Sequence, residues 1–325
     1  MLIFPALQRL HNKDDFQEFN MFTQIKSIKV TLTLSILLLG CATVSAAEKD
    51  YQLELPAAPK GIATFTPPSD GDIPHNQFGE AVRYGMSLFK DTQQLRGKYV
   101  GNELNCVSCH INNGKQANSA PLWGAYPMYP AYRKKNDHVN TIDERIQGCF
   151  VYSMNGTAPP LGSKELTALV TYHYWLSMGA SIGKALPGRG YPKLAKTKNK
   201  PSVSRGKKIF AQNCAICHGA KGKGTKANGK YVFPPLWGKD SFNWGAGMHR
   251  VNTAAGFIKA NMPLGKPNSL SDQQAWDVAA FMNSHERPQD PRFKGDIVQT
   301  AKTFHKHQCF YNKKIEGKLL GKGAK

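Results

Sequence analysis

The sequence predicts an all-α protein of two tandem domains, each wrapped around one covalently bound group. Three observations predict it. The pentapeptide Cys106-Val107-Ser108-Cys109-His110 recurs as Cys214-Ala215-Ile216-Cys217-His218, flanking residues recur with it, and the apolar residues around both copies fall at helical spacing. Two cysteines one turn apart reach both vinyl groups of one porphyrin, and the adjacent imidazole then stands under the iron. Each pentapeptide therefore reads as a c-type haem-attachment site, and the cofactors expected are two covalently bound haem c groups. A lone Cys-x-x-Cys also suits zinc or thiol redox chemistry, but a histidine directly after both copies selects haem.

The repeat spans about a hundred residues. Gly85-x-x-Leu88-Phe89 precedes the first site and Gly206-x-x-Ile209-Phe210 the second; Pro121-Leu122-Trp123-Gly124 and Pro235-Leu236-Trp237-Gly238 follow them. Phe78, Val82, Met86 and Phe89 have helical spacing, as do Leu166, Leu169, Val170, His173 and Ser177 at the close of the first copy. Trp276, Ala279, Ala280 and Asn283 close the second, behind a Ser271-x-x-Gln274 capping box. This arrangement resembles the cytochrome c fold. The resemblance implies that an N-terminal helix crosses a C-terminal helix beside each haem, with Gly85 and Gly206 permitting the close approach. No alternation is long enough to support a sheet.

At 325 residues the chain suffices for two compact domains. Residues 1–46 read as a leader that starts at Met21 and carries Lys26, Lys29 and the apolar run Val30 to Gly40. Two processing outcomes compete. Leu38-Leu39-Gly40-Cys41 resembles a lipobox, which would tether the chain to a membrane through Cys41; Val44-Ser45-Ala46 suits cleavage to a soluble form. Haem attachment implies export, so the expected location is periplasmic. Residues 47–76 form a Pro-rich lead-in, 77–178 the first domain, 179–204 a Gly/Pro/Lys-rich linker, 205–285 the second domain and 286–325 a basic tail.

The net charge is +21, and +20 once the four basic and three acidic side chains of the leader are removed. Nucleic acid is a poor partner for an exported haem protein. A positive field instead favours anionic substrates and acidic redox partners.

Each iron needs a ligand opposite its histidine, and that ligand separates electron transfer from chemistry. In the second copy Met262 lies 44 residues past His218, within Asn261-Met262-Pro263-Leu264-Gly265, resembling the Met-Pro loop of many cytochromes c. Met248 is only 30 residues past His218, and Met282 falls inside the closing helix. In the first copy Met154 also lies 44 residues past His110, but Cys149 sits five residues earlier. Spacing alone leans toward Met154 and leaves Cys149 as a buried small hydrophobe.

Tyr129-Pro130-Ala131-Tyr132-Arg133, then Asp143-Glu144-Arg145-Ile146-x-x-Cys149-Phe150-x-x-Ser153-Met154-Asn155-Gly156, resemble the dihaem thiosulfate dehydrogenase family. The likeness extends to Arg287-Pro288-Gln289-Asp290-Pro291-Arg292-Phe293. It implies an oxidoreductase that joins two thiosulfates as tetrathionate, reversibly in some members. It further implies Cys149 as the distal ligand of the first haem, Arg145, Ser153 and Arg133 as active-site residues, and electrons passing from the first haem to the second and on to an external partner, a cytochrome. The residues suit that chemistry. Arginines hold sulfonate oxygens with forked, charge-assisted hydrogen bonds, and a cysteine thiolate bonds covalently to a sulfur atom.

Two rival readings remain: a plain electron carrier with Met154 and Met262 as ligands, and a dihaem peroxidase, for which no specific signal exists. The carrier explains the repeat but not Arg133, Arg145 and Cys149 together. Lys259 is expected to be solvated. His138, His173, His249, His305 and His307 are expected at surfaces or interfaces, and Cys309 has no evident partner.

Overall fold

Helix α1 (Gln77–Lys90) crosses a later helix, Lys164–Leu176, at a point where Gly85 has no room for a side chain. A Cβ there would lie 2.0 Å from the carbonyl oxygen of Ala168. The second repeat does the same: a Cβ on Gly206 would lie 2.0 Å from the carbonyl oxygen of Asp277. The crossing that the resemblance to the cytochrome c fold implies is therefore present twice, held by backbone contact that only glycine allows.

The structure is a computed structural model and describes residues 65–324. The leader, Cys41 and most of the lead-in lie outside the described residues. All of residues 65–324 belong to one compact unit. In chain order the helices are α1; α2 (Ile111–Gly114); α3 (Ile142–Gly148); α4 (Lys164–Leu176); α5 (Val203–Asn213); α6 (Ala215–His218); α7 (Val251–Asn261); α8 (Asp272–Asn283); and α9 (Ile297–Phe304). Side-chain caps start most of the longer ones. Asn76 caps α1, Ser163 caps α4, Ser202 caps α5, and Ser271 with Gln274 forms the expected box at α8. Among the described residues no helix is long and apolar enough to cross a membrane.

Three small antiparallel hairpins depart from the sheet-free expectation: β1 (Ala131–Arg133) with β2 (His138–Asn140), β3 (Thr225–Ala227) with β4 (Lys230–Phe233), and β5 (Lys314–Ile315) with β6 (Lys318–Leu319). Strands of two to four residues are too short to show alternation, so no pattern in the chain announces them.

One continuous apolar core runs through both repeats and includes Phe89, Trp123, Phe150, Trp175, Phe210, Trp237 and Trp276. Residues 179–202 contain no helix or strand, yet they are tied down. Asn118 and Ala120 donate to the carbonyls of Gly188 and Gly190 at 2.6 and 2.9 Å, and Trp276 Nε1 donates to Ala195 at 3.0 Å. The stretch read as a basic tail folds too. Its α9 and its last hairpin enclose a second cluster of Trp244, Cys309, Tyr311 and Leu320, with Arg287, Asp290 and His305 buried beside it.

Candidate functional site

In the first pentapeptide Asn105 caps the single turn Cys106–Ser108, and the amides of Cys109 and His110 both return to the Cys106 carbonyl. This short turn sets the two sulfurs and the imidazole on adjoining positions. Thr92 Oγ1 accepts from the Cys106 amide at 3.0 Å and donates to its sulfur at 3.3 Å. The second pentapeptide repeats the pattern: the amides of Cys217 and His218 return to the Cys214 carbonyl.

Both histidines are oriented for metal. His110 Nδ1 donates to the Ala120 carbonyl at 2.7 Å, and His218 Nδ1 to the Pro234 carbonyl at 2.9 Å. A carbonyl only accepts, so Nδ1 carries the proton and Nε2 keeps its lone pair for iron. Burial pushes His110 down to about 4 and lowers His218 as well, which keeps both imidazoles neutral. Beside His218 opens an apolar cavity walled by Cys214, Cys217, Phe257 and Val278, with Met262 on its lining. A flat apolar macrocycle attached through the two cysteine sulfurs fits this lining, and His218 Nε2 would be free to hold its iron. Leu104, Asn105, Val107 and Cys109 line the same cavity, so the second haem site borders the first attachment turn.

Helix α3 brings further residues to the first site. Thr141 and Glu144 form a capping box at its start, and Ile142, Ile146 and Phe150 bury one stripe of it at i, i+4, i+8. That stripe places Arg145 and Cys149 together on the adjoining face. Arg145 Nη1 donates to Cys149 Sγ at 2.9 Å. At Cys149 the helix widens into a π-helical turn, Cys149–Ser153, with the Met154 amide reaching back five residues to the Cys149 carbonyl at 3.0 Å. Such turns are rare and recur at functional sites. The Cys149 sulfur is close enough to act electrostatically on Cys106 and Cys109, and Arg145 acts on His110. Met154, the ligand favoured by spacing, is 3 % exposed within the apolar core.

Arg133 is less central. It ends β1, is exposed, and its charge is felt by Arg250. Ser153 closes the π turn, its carbonyl accepting from Asn102 Nδ2 at 2.8 Å. Lys259 is tied rather than solvated: its Nζ donates to the Leu270 carbonyl at 2.5 Å and pairs with Asp272 at 3.6 Å. Of the histidines expected at surfaces or interfaces, His173, His249 and His305 are buried. Each can be buried because a ring nitrogen is satisfied internally, by the carbonyls of Leu169 and Ala246 and the carboxylate of Asp290. His138 is exposed as expected.

The profile of the SoxA/TsdA cytochrome c domain matches residues 90–182, and that of cytochrome c matches residues 203–286. Thiosulfate dehydrogenase from Stutzerimonas stutzeri strain A1501 is 54% identical over 88% of this chain and 95% of its own length. The chain belongs to the thiosulfate dehydrogenase family. The enzyme of that name from Thiomonas intermedia strain K12 is 49% identical over 91% of this chain and 96% of its own. The solved thiosulfate dehydrogenase TsdBA from Marichromatium purpuratum superposes with a TM-score of 0.78 at 47% identity, covering 82% of this chain. This chain spans 59% of that longer one. As a thiosulfate dehydrogenase the protein is all-α, with two cytochrome c domains and two covalently attached haem c groups.

Sequence reasoning missed three neighbours of the thiosulfate dehydrogenase site. Lys135, between β1 and β2, lies over the Tyr152 ring at 3.4 Å; burial, with Arg292, Arg145 and Arg250 adding to it and Asp290 opposing, pushes its ammonium down to about 7. Tyr191, from the linker, feels Cys109, Arg145 and Cys149. Asn261 donates to the Asn118 carbonyl at 3.0 Å and accepts from Gln116 at 2.9 Å, fastening the residue before Met262 to the first domain. None had a local signal, because each reaches the site through chain far from either pentapeptide.

Proposed function

We propose that this protein couples two thiosulfate dianions to tetrathionate on Cys149, with Arg145, Arg133 and Ser153 orienting the substrate, His110 and Cys149 as ligands of the first haem, and His218 and Met262 as ligands of the second. One observation carries the reading: the Arg145 guanidinium on the Cys149 sulfur, 2.9 Å apart, at the head of a π-helical turn beside the first attachment site. A buried-core cysteine needs no such partner, and an electron carrier needs neither residue.

Arg145 donates a hydrogen bond to the Cys149 sulfur, and the sulfur in turn raises the guanidinium above its ordinary range. Cys149 Sγ bonds to the outer sulfur of one thiosulfate, giving a cysteine S-thiosulfonate and releasing two electrons. The outer sulfur of the second thiosulfate then attacks the sulfur bonded to Cys149. The S–S bond to Cys149 breaks, tetrathionate leaves, and the thiolate returns. Run backwards, the same steps reduce tetrathionate. The two haems, when bound, accept one electron each and pass them to an external cytochrome. Lys135, Arg250 and Arg292, which act on one another electrostatically, add the positive field that a doubly charged substrate requires. We place the mature protein in the periplasm, soluble or anchored through Cys41.

Steady-state turnover of thiosulfate with an artificial acceptor, and of tetrathionate with a reductant, tests the function. Inactivity in both directions would refute it. An unchanged spectrum in Cys149→Ala, together with loss of a methionine–iron band in Met154→Ala, would establish the electron-carrier reading instead.

A further inference from the structure

Outside both pentapeptides, four side chains converge beneath the C-terminal segment. His249 stands just before α7, and His305, His307 and Cys309 follow α9 on every second residue. One ligating atom from each lies within 4.8 Å of all the others. Three of the four residues are buried and the fourth is half-buried. Among the described residues no cysteine is disulfide-bonded to Cys309.

The hydrogen bonds outside the cluster turn its lone pairs inward. His249 Nδ1 is bonded to the Ala246 carbonyl, so its proton sits there and Nε2 faces His307 Nε2, 2.7 Å away. His305 Nε2 donates to Asp290 Oδ2 at 3.0 Å, which leaves Nδ1 facing the Cys309 sulfur at 3.8 Å. His249 thus has a carbonyl behind it and His305 a carboxylate, the usual support of a metal-bound histidine. Asp290 is itself fixed by Arg292, through bonds of 2.9 and 2.6 Å.

We propose that His249, His305, His307 and Cys309 bind one zinc(II) ion. Three nitrogens and a thiolate make a closed four-coordinate set for a borderline-soft ion. With metal–nitrogen bonds of about 2.0 Å and a metal–sulfur bond of about 2.3 Å, tetrahedral geometry needs N···N edges of about 3.3 Å and N···S edges of about 3.6 Å. The His305–Cys309 edge is already near that value, and the His249–His307 edge opens by about 0.6 Å on binding. The ion would staple α9 and the last hairpin to the start of α7, the helix that ends at Met262. It would be structural, because no fifth position is left for substrate.

The test is elemental analysis of the dihaem protein, purified without a metal-affinity tag and dialysed against buffered zinc. The expected result is one zinc per two irons, with a zinc-edge X-ray absorption shell of one sulfur at about 2.3 Å and three nitrogens at about 2.0 Å. Cys309→Ser and His305→Gln should each reduce zinc at least tenfold while both haems stay attached, and the exposed His138→Gln should retain it. A chelator, which leaves covalent haem in place, should lower the Tm of the unsubstituted protein only. Less than about a tenth of an equivalent of zinc, another metal in its place, or a shell without sulfur overturns the proposal. Where a variant loses its haems, the absorption shell of the unsubstituted protein decides alone.

Discussion

Arg145 and Cys149 lie one helical turn apart, and the guanidinium donates to the sulfur across 2.9 Å. The pair stands where an ordinary helix gives way to a π turn, which keeps the sulfur next to the first haem-attachment turn. Most of the proposed chemistry depends on this contact.

Cys149→Ala should abolish thiosulfate oxidation and tetrathionate reduction while mass spectrometry still finds two haems. The oxidised parent should show a thiolate-ligated, low-spin signal that the variant lacks. Turnover surviving in the variant would remove Cys149 from the mechanism.

Arg145→Ala removes one charged hydrogen-bond partner, worth about 1.5–3 kcal/mol. On this basis kcat/KM for thiosulfate should fall roughly 10- to 150-fold. Arg145→Lys keeps the charge without the fork and should recover only part of the loss. Arg133→Ala, at an exposed strand end, should cost less than Arg145→Ala; equal losses would put both residues at the reacting sulfur.

Met262→His should lower the reduction potential of one haem only and erase the methionine–iron signature of the reduced protein, since methionine ligation raises the potential. A signature that persists would move the ligand to Met248 or Met282, which line the same cavity.

Lys135 links rate to pH. Its folded value is depressed to about 7, so the ammonium is present below that pH and lost as pH rises through it, well before an ordinary lysine titrates. The kcat/KM for thiosulfate should therefore decline on this limb, because kcat/KM reports ionisations of the free enzyme. In Lys135→Arg the limb should vanish. The same depression means that burial of the charged lysine costs stability below pH 7, a cost that shrinks as pH rises from 7 toward 10.5. Lys135→Met should accordingly stabilise the protein more at pH 6 than at pH 9. A pH profile identical in parent and variants would leave Lys135 outside the site.

Gly85→Ala and Gly206→Ala should each destabilise by about 1–3 kcal/mol or more, because the new methyl meets the carbonyl of the crossing helix at 2.0 Å. Urea unfolding of the haem-loaded variants measures this. Parental stability would show that the helices separate at no cost.

The sequence by itself determined what depends on neighbours along the chain. Haem attachment requires two cysteines and a histidine within five residues, so Cys106 to His110 and Cys214 to His218 were legible at sight. Helix starts were equally local, as with Ser271 and Gln274, and so was the i, i+4 relation that brings Arg145 to Cys149. The proposal of Cys149 over Met154 as ligand rests on the longer family motif, because spacing alone leans the other way. Only the tertiary structure decided which distant segments meet. Lys135 reaches the site on a hairpin whose strands are too short to announce themselves, Asn261 clasps Asn118 across 143 residues, and His249 faces His307 across 58. A buried polar group is stable where a partner waits for it. For His305 that partner is Asp290, fifteen residues away, and no local pattern in the chain marks the pair.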